Sequence, residues 1–135
     1  MSTTRLVIPG PPRGKGVARV TRFGTFIPAA SRAEMEAVRY IGSAAMQGRA
    51  PISGPIELRI AAYLPIPVSW SRRDRAAALA NERPAIVKPD ASNIQKLIED
   101  GMNHVVFTDD SQIVRWQGWK LYAAEPRVVV EVVEL

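Results

Sequence analysis

Asp90, Asp100, Asp109 and Asp110 lie close together in a chain whose Lys and Arg outnumber its Asp and Glu by eighteen to thirteen. Asp90 precedes the stretch "SNIQKLIEDGM", Asp100 sits near its end, and the "DD" pair comes shortly after. If that stretch is a helix folded back against the strands, several carboxylates converge. Their mutual repulsion then raises their pKa values unless a cation sits among them. Oxygen donors of this kind suit Mg²⁺ or Mn²⁺. A zinc site is disfavoured, since His104 is the one histidine and there is no cysteine. A metal beside nucleic-acid phosphates points to phosphodiester hydrolysis. One ion orients and deprotonates water, and a second, about 3.5–4 Å away, stabilises the leaving oxygen. A plainer reading stays open. An Asp ahead of a helix is commonly a dipole partner, and "DD" before a strand commonly makes a turn.

Two lysines flank these acids. Lys96 lies one turn after Ser92, and Lys88 precedes Asp90. Each is placed to pair with a carboxylate or approach a phosphate, and each is equally at home in solvent. Other chemistries find little support. "GPPRGKG" lacks the spacing of a phosphate-binding loop, and His104, within "MNHVV", reads as a turn residue rather than a triad member.

At 135 residues the chain has the length of one domain, spanning 1–135. Its 47% hydrophobic content argues against disorder. The net charge of +5 suits an anionic partner such as nucleic acid, though it serves solubility as well. The absence of cysteine excludes disulfides and a thiol nucleophile. No apolar run is long enough to span a membrane, and "MSTTRLVIPG" has no signal-peptide pattern. The expectation is an intracellular protein.

The elements that must position the acids follow from periodicity. "TRLVIPG" reads as a strand, with Leu6 and Ile8 on one face and Gly10-Pro11-Pro12 ending it. Arg13 to Ala30 forms a hairpin or irregular loop in which Arg13, Lys15, Arg19 and Arg22 alternate with glycines, Phe23 and Phe26. Such a segment can track a phosphate backbone while its rings pack or stack. "SRAEMEAVRYIGSAAMQG" reads as a helix capped by Ser31, with Glu34 completing the capping box. "GPIELRIAAYL" is a half-buried strand with Ile56, Leu58, Ile60 and Ala62 on one face. A long basic connection comes next, carrying Arg72, Arg73, Arg75 and Arg83, with a helix over Ser71 to Leu79 capped by Ser71. The helix bearing the acids runs from Ser92 to Met102. Ser92 is its expected cap, Ile94, Leu97, Ile98 and Met102 are its buried stripe, and Gly101 weakens its last turn. Strands over 113–123 and 127–133 close the chain, with at least one of Trp116 and Trp119 expected in the core. This order predicts one small α+β domain, helices packed on a mixed sheet.

"KPDASNIQK", then "DGM", then "DDSQI" resembles the hallmark KPDxDNLxK…DAL…DDxQV of the RusA-type Holliday junction resolvases, often found in phages and prophages. The early "GPPRGKGVAR" is similar to the first strand and basic loop of that family, so the likeness spans most of the chain. It implies a RusA-like fold and a homodimeric, magnesium-dependent endodeoxyribonuclease that resolves four-way DNA junctions by paired nicks, in the cytoplasm of a bacterial or phage-infected cell. Two opposed cuts on a two-fold substrate suit two sites related by two-fold symmetry. It further implies Asp90 and Asp110 as metal ligands and catalytic residues, Lys96 as a catalytic or substrate-positioning lysine, and an assisting role for Asp109. Asp100 matches a further acid of the pattern. Arg13, Lys15, Arg19 and Arg22 would bind DNA, with Arg72, Arg73, Arg75 and Lys88 as further candidates.

The chain departs from the pattern at Ser92, where the family has a second Asp. A neutral hydroxyl is the weaker ligand, so Asp100 or Asp109 would supply the missing charge, or water would take the ligand's place, or the protein would bind branched DNA and cut poorly. Asn93 is retained, as a residue that orients a ligand by hydrogen bonding. Three functions therefore remain in play: a junction resolvase, a weakly catalytic or non-catalytic branched-DNA-binding protein of the same fold, and a small domain whose acids are structural and whose partner is another protein.

Overall fold

The computed structural model describes residues 2–16, 19–22, 24–26 and 29–135. Its centre is a four-stranded mixed sheet of β1 (Thr3–Pro9), β4 (Ile56–Pro65), β5 (Ile113–Ala123) and β6 (Arg127–Glu134), in the order β1-β6-β4-β5. β1 and β4 run antiparallel to β6, while β5 runs parallel to β4. A parallel neighbour needs a crossover, and the one between β4 and β5 carries α2 (Arg72–Leu79) and α3 (Ala91–Met102). A small hairpin of β2 (Arg19–Thr21) and β3 (Gly24–Phe26) precedes α1 (Ala29–Met46). Among the described residues no helix is long and apolar enough to cross a membrane.

Strand periodicity selects which face is covered. Leu6 on β1, Ile56, Leu58 and Ile60 on β4, and Val128, Val130 and Val132 on β6 form one core with Val38 of α1, Ile94 and Ile98 of α3, and Phe107. The predicted stripe on α3 is buried as expected. The opposite face carries charge. There Glu57 is 2% exposed, paired with Arg59 at 2.7 Å and Arg115 at 3.7 Å, and accepts from Gln117 Nε2 at 3.3 Å. A carboxylate so enclosed needs these partners, because an unpaired buried charge is strongly destabilising.

Several local expectations are corrected. Helix α1 starts at Ala29, so Ser31 lies inside its first turns. Its buried hydroxyl accepts from the Gly16 N–H at 2.7 Å, tying the basic loop to the helix rather than capping it. Helix α3 starts at Ala91, with Asp90 in the extended cap position. The Asp90 carbonyl closes the first turn by accepting from the N–H groups of Asn93 and Ile94, which leaves Ser92 exposed within the helix. Gly101 does more than weaken the last turn: a Cβ there would lie 2.6 Å from Val38 Cβ, so the glycine lets α1 and α3 cross closely. Neither Trp116 nor Trp119 is in the core. Trp116 is 62% and Trp119 47% exposed, because β5 is an edge strand.

The helix in the basic connection forms as expected, Ser71 accepting from the Asp74 N–H at 3.2 Å. A second small core beneath it joins Leu64, Ile66, Ala78, Ala85 and Tyr122, with Trp70 packed edge-on against Tyr122.

Candidate active site

Two segments converge at the start of α3. The basic loop after β1 runs against it so closely that a Cβ on Gly14 would lie 2.9 Å from Asn93 Cβ and 3.0 Å from Pro89 Cβ. The Lys15 N–H then donates to the Asn93 carbonyl at 3.0 Å. With the Gly16–Ser31 bond, these contacts pin the loop to both α1 and α3. Asn93 thus acts here through its backbone. Lys15 reaches past it, and its Nζ pairs with Asp100.

Asp100, whose side chain is 18% exposed, holds two ammonium groups, since Lys96 pairs with it from one turn back at 3.4 Å. Asp90 is paired with Lys88 at 3.1 Å, with both side chains largely in solvent. Asp109 serves its own turn. Its carboxylate accepts from the Ser111 N–H at 3.0 Å, capping the 3₁₀ turn Asp110–Gln112. Hydrogen bonding from Ser111, side chain first and then backbone, holds that carboxyl below its ordinary value, and His104 adds to the effect. His104 itself occupies a turn with φ 68°.

Gln112 belongs to the DDxQV pattern but was given no role from the sequence, and it sets the place of Asp110. Its Nε2 donates to the carbonyls of Ile52 and Gly54 at 2.7 and 2.8 Å, while its Oε1 accepts from the Asp109 N–H at 2.7 Å. A bonded side chain of this sort locks a loop in one register, and the sequence signals for it were the Gln of the DDxQV pattern and its place three residues after a capping Asp.

Glu99 was also missed. Its pKa is raised, first by burial and then by the negative charges of Asp110 and Asp100, against a hydrogen bond from Gln95 and the attraction of Lys96. Asp110 and Asp100 are therefore felt at one glutamate, from either side of the α3–β5 connection. An acid with a raised folded value contributes its stability below its ordinary pKa and loses it as the pH climbs through the folded value. Glu99→Gln is accordingly expected to raise the unfolding midpoint near neutrality by about 2 °C, a modest effect because solvent screens a half-exposed group. The difference should close as the pH falls below the 4.5 of an ordinary glutamate. Melting curves of both proteins across that range check it, and a constant offset would place the effect outside titration.

The remaining basic candidates divide. Arg13 is exposed and 3.9 Å from Glu34. It lines a groove of about 510 Å³ together with Lys88, between the basic loop, α1 and the segment before α3. Arg22 is exposed in the β2–β3 turn. Phe23 and the side chains of Arg19 and Phe26 lie outside the described residues. Arg72 and Arg73 are exposed on α2. Arg75 instead donates to the Pro67 carbonyl at 3.1 Å, and Arg83 pairs with Asp74 and lies over the Trp70 ring at 3.7 Å. Those two hold the connection together.

The donor types, the carboxylates of Asp90, Asp100, Asp109 and Asp110 and the Ser92 hydroxyl, have the hard-oxygen chemistry of a Mg²⁺ site. Among the described residues no three acids gather closely enough to hold an ion, and lysines neutralise Asp90 and Asp100.

The family model described as Endodeoxyribonuclease RusA matches residues 9–133. The uncharacterized protein YqaN of Bacillus subtilis (strain 168) is 35% identical over 102 residues, covering 72% of this chain and 71% of its own length.

Proposed function

The chain belongs to the RusA endodeoxyribonuclease family, and from that premise we propose that it is a Mg²⁺-dependent, structure-selective nuclease that resolves four-way DNA junctions by paired phosphodiester hydrolysis. Mn²⁺ would substitute. It would act as a homodimer in the cytoplasm, as one domain over the whole chain. The observation that carries this reading is the packing of the basic loop along α3, with Lys15 bonded to Asn93 in its first turn and paired with Asp100 in its last.

The residues take distinct roles in the proposal. Lys88, Arg13, Lys15, Arg19 and Arg22 hold phosphates, with Arg72 and Arg73 on the flank. A phosphate group competes with a carboxylate for lysine. DNA binding would therefore draw Lys88 from Asp90, leaving that carboxylate and Asp110 free to act at the scissile bond. Lys96 would place the phosphate from the same helix face as Asp100.

The deciding experiment is incubation of the purified protein with a labelled synthetic four-way junction, with Mg²⁺, with Mn²⁺ and with chelator. Symmetric nicks that require the ion support the proposal. Tight binding without nicks supports the second reading, a branched-DNA-binding protein of weak or no activity. That reading is favoured by Ser92 in place of a carboxylate and by the lysines on Asp90 and Asp100. Neither nicks nor binding would remove both.

Ser92→Asp tests the departure from the family pattern. Ser92 is exposed in the first turn of α3, where a negative charge favours the helix dipole, so the fold should persist. The added carboxylate is expected to lower the Mg²⁺ concentration for half-maximal rate by roughly 3- to 10-fold, the ~1 kcal/mol of a charge pair in a wet site. Initial rates against Mg²⁺, with Mg²⁺ affinity measured separately by calorimetry, check it. An unchanged Mg²⁺ response in both places position 92 away from the ion.

A further inference from the structure

Beside α3, on the side facing β5, an apolar groove runs under the exposed Trp116 ring. Its inner surface is Leu58 and Ile60 of β4 and Ile94 of α3, and Gln95 and Lys120 stand around it. The strand register puts Trp116 opposite Leu58, Gly118 opposite Ile60 and Lys120 opposite Ala62, all on the helix-bearing side of the sheet. An edge strand with a 62% exposed tryptophan on its covered side is unusual, because that side should be closed by the core.

Gly118 explains the opening. A Cβ there would meet nothing closer than the Ile60 carbonyl at 3.7 Å, an ordinary contact, and its φ is not in the left-handed region. Neither packing nor backbone conformation requires glycine at this position. A strand glycine marks a bulge, a bend or a place where something else approaches the backbone, and the register shows no shift at Gly118. The groove is also continuous with the candidate active site. Ala91, the residue after Asp90, is part of its wall, and Lys120 borders both this groove and the depression formed by Lys88, Asp90 and Ile86. Lys120 is held there by donating to the Val87 carbonyl.

We propose that this groove takes an unstacked base of the DNA substrate, its face against the Trp116 ring and its edge over Gly118. The inference rests on the nuclease reading above for the identity of the substrate. The occupant follows from chemistry on the spot. A flat aromatic face offers stacking that any base can use. The Gln95 amide offers a donor and an acceptor to a base edge. Lys120 offers a cation to the phosphate of the same strand, next to Asp90. Strands at a branch point have bases free to leave the stack at less cost than those within a duplex. The groove would therefore help the protein tell a branch from a duplex, and help register the scissile phosphate.

The test uses the full chain with a four-way junction, a fully paired duplex and a single strand of the same sequence. Dissociation constants are measured by anisotropy. Trp116→Ala is expected to weaken junction binding about 5- to 100-fold, the range for loss of one stacked base, while duplex binding changes less than about 2-fold. Trp116→Phe should recover most of the loss. Gly118→Val, which fills the groove from below and suits a strand, should reproduce it. Tyr40→Ala, another exposed aromatic but outside the groove, should change nothing. Junction affinity unaltered in both Trp116→Ala and Gly118→Val overturns the proposal, and so does an equal loss on junction and duplex. If the wild-type protein does not prefer junctions, the nuclease reading fails first and the single strand decides the groove. A 5-fold loss there in Trp116→Ala upholds base capture, and no loss overturns it. Unfolding midpoints accompany each variant, and if Gly118→Val does not fold, Trp116→Ala and Trp116→Phe decide.

Discussion

Asp110→Asn is expected to reduce junction cleavage by at least about 100-fold, with junction binding kept or tightened, and Asp90→Asn should behave the same way. A carboxylate at a phosphodiester takes up a proton or holds a cation, and losing such a group typically costs about 10²- to 10⁴-fold in rate. Asparagine does neither while keeping the shape. It also removes a negative charge that repels phosphate, hence the retained affinity. The fold should survive both changes. The Asp90 carbonyl, rather than its side chain, closes the first turn of α3, and Asp110 sits in a turn anchored by Gln112. Single-turnover cleavage and a gel-shift on the same preparations separate the two quantities. Wild-type cleavage by either variant would remove that residue from the site, and loss of binding along with cleavage would make it structural.

The largest effect on stability is expected at Gly101. Alanine is the better helix former by about 1 kcal/mol, so on an isolated helix Gly101→Ala would stabilise. Here the new Cβ would stand 2.6 Å from both Val38 Cβ and Val38 Cγ1, and 3.2 Å from the Met35 carbonyl. No real Cβ sits that close, so α1 and α3 must separate, and overpacking of this kind costs about 1–3 kcal/mol net. The unfolding midpoint should fall by roughly 5–15 °C. Val38→Ala in the same chain should restore part of the loss, because the clash is with that side chain, and a double-mutant cycle measures the coupling. A Gly101→Ala protein as stable as wild type would mean the helices cross with more room than the structure gives them.

Much of the architecture was legible because its signals are local. Alternation at Ile56, Leu58, Ile60 and Ala62 marks a strand whichever strands flank it, and the spacing of Ile94, Leu97, Ile98 and Met102 marks one helix face. Ser71 caps α2 as its sequence suggests, its hydroxyl accepting from the Asp74 N–H three residues on. Ser31 carries the same local signal and fails, because Gly16 takes its hydroxyl from the loop packed alongside. At Ser92 the helix begins a residue earlier, with Asp90 in the cap position and the serine left to solvent. A cap motif records only what a residue offers, and the partner is chosen by whatever packs nearby.

By itself, then, the sequence determined the α+β class, the core faces of the principal strands and of α3, and the family pattern from Lys88 to Ile113, since these depend on residue type and on spacing along the chain. The tertiary structure decided the rest. It put β5 parallel to β4 at the sheet edge, which left Trp116 and Trp119 exposed where the sequence suggested at least one of them in the core. It brought Lys15 to Asp100, and Gln112 to the carbonyls of Ile52 and Gly54. It enclosed Glu57 among two arginines and a glutamine, and set Glu99 in reach of Asp110. Apart from the Glu57–Arg59 pair, these contacts join segments that lie apart in the chain. Their energy depends on distances that periodicity does not encode, because those distances exist only once the sheet has chosen its order and the helices have crossed.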